Sequence, residues 1–124
     1  MLVLLTSSSL FGQTRGPQEQ KVARAWYALL AQMECGPLAA TKELLSETAY
    51  ASLVNEARTT EHAAVIREFA ATMKNAPLRV HLLSPTEASL DLGEEDFEAG
   101  IYSSGVVLEY KKGKWCLVAF FSAK

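Results

Sequence analysis

The apolar repeat of this chain changes period once, near Asn75-Ala76-Pro77, and no other feature of the sequence constrains the fold as strongly. Up to that point apolar residues recur at helical spacing; beyond it they alternate with polar ones. A helix returns to the same face about every 3.6 residues and a strand every second residue, so neither pattern can adopt the other structure without turning apolar side chains to water. The chain is therefore expected to place its helices first and its sheet last.

The first helix is the most sharply bounded element. Gly16-Pro17 opens it, with proline at the first helical position and Glu19 in the first turn, where a carboxylate favours the helix dipole. Val22, Trp26, Leu29 and Met33 form a core stripe flanked by Ala25 and Leu30. The helix stops after Cys35 at Gly36-Pro37: glycine can take a left-handed cap, and proline cannot continue the ladder. Pro37 opens a shorter helix through Leu38, Lys42, Leu44 and Leu45. Ser46 is the expected N-cap of a third segment carrying Tyr50, Leu53 and Val54. Thr59 or Thr60 caps a fourth, in which His62, Val65, Ile66, Phe69 and Met73 share a face.

After Pro77, Leu78, Val80 and Leu82 alternate with Arg79 and His81, and Ser84-Pro85-Thr86 makes a turn. Ala88, Leu90 and Leu92 then alternate with Glu87, Ser89 and Asp91. The acidic run Glu94, Glu95, Asp96 and Glu98 reads as a solvated loop ending in Gly100; it lacks the spacing of a calcium loop. Phe97, Ile101 and Tyr102 within that stretch either fold over a cavity mouth or add to the sheet. Val106, Leu108 and Tyr110 alternate again, Lys112-Gly113 supplies a tight turn, and Lys114 to Phe121 is apolar on both faces, which predicts a central strand. Helices followed by hairpins predict an α+β fold, with helices on one face of a curved antiparallel sheet. No repeat or linker interrupts residues 13–124, which read as one domain. A chain of 124 residues can bury about two-thirds of its unfolded surface without a metal or a disulfide net.

Charge and cysteine usage exclude several classes. Twelve basic against fourteen acidic residues give a net charge of −2. The one tight basic group is Lys111, Lys112 and Lys114, so a nucleic-acid partner is not expected. Nothing approaches the length of a membrane span. Two cysteines, without a Cys-x-x-Cys or a Cys/His cluster, give no zinc site, and phosphate-loop and dinucleotide fingerprints are missing from the sequence. No cofactor is expected. Residues 1–12 (an apolar run to Leu5, then Thr6 and Ser7 to Ser9) resemble the later part of a secretory signal without its basic start. The expectation is export to the periplasm or beyond, with a cytoplasmic protein and an ordinary N-terminal element as the alternative. Export would let Cys35 and Cys116 pair; otherwise they are two thiols. Cys35 lies at a helix C-terminus, where the dipole disfavours a thiolate nucleophile.

The segment Val22-Ala23-Arg24-Ala25-Trp26-Tyr27-Ala28-Leu29-Leu30, then Leu44-Leu45-Ser46 with Tyr50 and Leu53, then Val106-Val107-Leu108-Glu109-Tyr110 and Gly113-Lys114-Trp115 before a last apolar strand, resembles the nuclear-transport-factor-2-like superfamily. It is most similar to the small, often exported bacterial families of that group. The resemblance spans roughly Gln18 to Ser122. It implies a cystatin-like cone of helices wrapped by a curved sheet, a cavity between the two, and frequent dimers through the sheet. Because that fold hosts many activities, function has to be read from the site.

The resemblance also implies where chemistry would sit. Isomerase-like and dehydratase-like members place an acid–base set in the cone, for which His81 and Asp91 are the candidates, with Tyr27, Tyr50 and Tyr110 as donors. Alternation opposes this, because Val80, Leu82, Leu90 and Leu92 take the apolar face and leave His81 and Asp91 on the other. His62 reads as a core-edge residue, with Glu61 as a helix-dipole partner. Trp26, Tyr27, Tyr50, Phe69, Met73, Tyr110 and Trp115 either line a cavity or pack the core. The expected function is a non-enzymatic binding or accessory domain for a small apolar ligand or a protein partner. A cofactor-free isomerase or dehydratase and a structural dimerisation module are the alternatives.

Overall fold

The structure, a computed structural model, describes residues 16–55, 57–97 and 100–123; within 94–103 and 122–123 the description is of the backbone. The expected signal over residues 1–12 lies outside the described residues. Helix α1 spans Pro17–Cys35, α2 Leu38–Lys42, α3 Glu47–Val54 and α4 His62–Met73, with a single 3₁₀ turn at Thr59–Glu61 leading into α4. Strands β1 (Arg79–Ser84), β2 (Glu87–Phe97), β3 (Gly100–Lys111) and β4 (Lys114–Ala123) follow. They form an antiparallel meander in the order β1-β2-β3-β4. The fold is α+β, helices first.

Each helix forms for a local reason and is retained for a tertiary one. Val22, Ala23, Trp26, Leu29, Leu30 and Met33 of α1 are all buried, and α1 packs chiefly on α4 through Ile66 and Ala70. Val80, Ala88, Leu90, Leu92, Val106, Leu108 and Leu117 supply the opposing sheet face of the same core. Thr41, the one buried polar residue among the described residues, directs its hydroxyl to the Gln32 carbonyl at 3.4 Å. Glu34 and Lys74 join the ends of α1 and α4 at 3.1 Å.

Three expectations are corrected. Gly36 does end α1, but at φ −89 it is not left-handed; its N–H bonds the Gln32 carbonyl at 2.7 Å, and a Cβ there would lie 2.7 Å from that same backbone oxygen. Close approach, not helix handedness, requires the glycine. The acidic stretch is not a loop: β2 continues to Phe97 and β3 begins at Gly100, so Glu94, Glu95 and Asp96 pair with Ser103, Tyr102 and Ile101. Phe97, Ile101 and Tyr102 therefore belong to strands. Finally, among the described residues β4 is an edge strand rather than a central one. Its outer edge is covered at Leu117, whose N–H bonds the Leu44 carbonyl at 2.8 Å and whose carbonyl accepts from Ser46 N–H at 2.9 Å. That local cover, with helices on one face, lets an edge strand be apolar on both sides.

Candidate functional site

Residues from four elements line an open apolar pocket of about 410 Å³. Phe69 and Met73, one turn apart on α4, face Leu92 of β2, Ser104 and Gly105 of β3, and Phe120 and Phe121 of β4. The backbone explains why space opens here. Gly93 has φ 136, a conformation open to glycine but not to other residues without strain, and the β2–β3 register slips between Asp91 and Glu94. A bulge bends its strand and increases the local twist, so the sheet turns just beyond Leu92. Across the sheet, β4 carries its own irregularity, since Leu108 pairs with Leu117 but Val107 pairs with Ala119.

Phe120 meets Phe69 edge-to-face, with ring centroids 5.6 Å apart and planes at 86°, the arrangement that aromatic quadrupoles favour. Phe121 pairs with Gly105, where a Cβ would meet the Leu90 carbonyl and lie 2.6 Å from the Phe121 ring. Glycine at this position thus lets the Phe121 ring lie against the β3 backbone. The described lining has five apolar side chains, one hydroxyl at Ser104 and no titratable group. Such a wall favours an uncharged ligand; among the described residues it offers no countercharge and no proton-transfer group.

The residues expected from sequence to form a site are dispersed. Phe69 and Met73 line the pocket, whereas Trp26 is 0% exposed within the core. Tyr27 is exposed on α1, and Tyr110 is exposed with its ring tilted against Trp115 at 5.5 Å. The Tyr50 hydroxyl is occupied by His62 Nδ1 at 2.8 Å, and Lys42 Nζ lies 5.1 Å from the Tyr50 ring centroid. His81 Nε2 and Asp91 Oδ2 meet at 3.1 Å, with side chains 49% and 33% exposed, on the sheet face opposite Val80 and Leu90. Of the three tyrosines considered as donors, Tyr50 is thus engaged by His62 and Tyr110 packs on Trp115. Among the described residues no group of three His, Cys, Asp or Glu could hold a metal, and no described helix is long and apolar enough to cross a membrane.

Cys35 is exposed at the end of α1, while Cys116 is buried in β4 with its sulfur 3.9 Å from the Lys114 carbonyl. Both are free thiols.

Leu92, Ser104, Gly105, Phe120 and Phe121 were not among the sequence candidates. Two glycines inside strand patterns, Gly93 and Gly105, were the available signal, because an interior strand glycine marks a bulge or a close approach. No family model, curated protein or solved structure matches the chain.

Proposed function

We propose that this protein is a non-catalytic binding domain of the nuclear-transport-factor-2-like kind, holding a small uncharged apolar ligand between α4 and the bent end of the sheet. The carrying observation is the lining itself: Phe69, Met73, Leu92, Phe120 and Phe121 around about 410 Å³, with Ser104 as the described polar side chain. That volume lies in the range of small-molecule sites, and apolar walls with a single polar group are their usual composition. The helices-then-meander order and the position of the pocket between helix and sheet support the superfamily reading. The acid–base alternative has weaker support, because His81 and Asp91 form an exposed pair away from the pocket lining.

Fluorescence titration with a neutral naphthylamine tests the reading. The dye should brighten on binding, and Met73→Trp, which fills the pocket from α4, should abolish the signal while the far-ultraviolet circular dichroism stays native. An undiminished signal in Met73→Trp, or none in the parent protein, would overturn it.

A further inference from the structure

The β3–β4 hairpin tip carries cations where local physics does not favour them. Lys112 has φ 51 and Gly113 has φ 85, so both central residues of this two-residue turn are left-handed. Such turns favour asparagine, aspartate or glycine at the first central position, because a Cβ is strained there. Lys112 occupies it instead. On either side, Lys111 and Lys114 are directly opposed in the ladder, and like charges so placed weaken a hairpin. Glu109 relieves one of them, with Oε1 3.3 Å from Lys111 Nζ. Lys112 and Lys114 make no ion pair among the described residues. All three lysines are exposed.

Immediately behind them lies apolar surface. Tyr110 is 44% exposed and leans on the half-buried Trp115. The Tyr110 N–H bonds the Thr86 carbonyl at 2.8 Å, which fastens this hairpin to the β1–β2 turn, and Leu83 beside that turn is 57% exposed. One end of the sheet therefore presents ammonium groups outermost, with a tyrosine and a leucine close behind.

We propose that this tip is a contact site for an anionic lipid surface. Three clustered lysines complement acidic headgroups, and tyrosine settles at the headgroup level with its ring toward the acyl chains. Lysine stems extend along such a boundary while their charges stay in water. A paired-turn tip is too small for a standard protein interface, which occupies about 800 Å² on each partner, whereas a membrane contact needs only the tip. Duplex nucleic acid fits less well, because the exposed Tyr110 and Leu83 behind the lysines meet nothing apolar along a phosphate backbone.

The test is co-sedimentation of the full chain with vesicles of phosphatidylcholine alone or mixed equally with phosphatidylglycerol, at low and physiological salt. The parent protein should pellet with the anionic vesicles only and be released by salt, since the attraction is screened over about 10 Å. Lys114→Glu should weaken partition on the order of tenfold, yet raise the thermal midpoint, because it replaces the Lys111–Lys114 repulsion with an attraction. Lys112→Asn should likewise bind more weakly and melt higher. Opposite movement of binding and stability separates a lipid contact from mere damage to the fold. Met73→Trp should partition like the parent, which keeps this site independent of the pocket. Equal partition of Lys114→Glu and parent, equal binding to neutral vesicles, or tighter binding to polyglutamate than to anionic vesicles would each overturn the proposal.

Discussion

Tyr50 and His62 show how much of this protein is decided by single side chains that sequence spacing does not pair. The Ala57 carbonyl, 3.3 Å from His62 Nε2, can only accept, so Nε2 donates to it, while Nδ1 and the Tyr50 hydroxyl share a second hydrogen bond at 2.8 Å. The two rings also meet edge-on at 5.5 Å. The pair therefore fastens α3 to the start of α4 across the intervening connection. Tyr50→Phe should destabilise the protein by about 1 kcal/mol, since it removes one half-buried hydrogen bond and leaves an imidazole nitrogen unpaired. Urea unfolding would read this as a lower midpoint with an unchanged slope. An unchanged midpoint would mean that water replaces the hydroxyl without loss. The sequence identified His62 as a core-edge residue, but the bond to Tyr50 was not legible, because it depends on the path of the chain between the two helices.

At the scale of elements, Ser46 joins two functions that were readable only one at a time. Its hydroxyl accepts from Ala49 N–H at 3.0 Å, the N-cap expected from its position before Glu47. The same hydroxyl donates to the Val118 carbonyl at 2.8 Å, and the Ser46 N–H bonds Leu117. The start of α3 is thus also a clamp on the edge of β4, where exposed strand groups would otherwise be open to pairing with another chain. Ser46→Ala should lower stability by about 1–2 kcal/mol, at the upper end for loss of a cap, because two bonds are lost at once. Ser46→Asp preserves the cap but cannot donate to Val118, so it should fall between parent and alanine. If aspartate matched the parent, the clamp would contribute nothing. Helix ends and turns were legible here because capping and turn chemistry act within a few residues. The place of β4 at the edge was not, since its cover comes from Leu44 to Ser46, some seventy residues away.

For the whole molecule, the order of helices and strands was legible because it needs only the period of the apolar pattern, and every buried position of α1, from Val22 to Met33, lies on the predicted stripe or immediately beside it. The pocket was not legible, because Phe69, Leu92, Gly105 and Phe121 come from different elements and meet only where Gly93 bends the sheet. Its chemistry leads to a linkage prediction. A ligand that binds only the folded chain, present at about a hundred times its dissociation constant, adds about 2.7 kcal/mol of stability. For a chain of this length that corresponds to a melting rise on the order of 10 °C. A neutral aromatic ligand that fits the pocket should produce such a rise in scanning calorimetry, and Met73→Trp should remove it. An ionised analogue of the same shape should raise the midpoint far less, because the described lining offers no countercharge and an unpaired charge in an apolar site is strongly disfavoured. Equal rises for the neutral and ionised forms would show that the bound group stays in water, and would move the ligand out of this pocket and onto the surface.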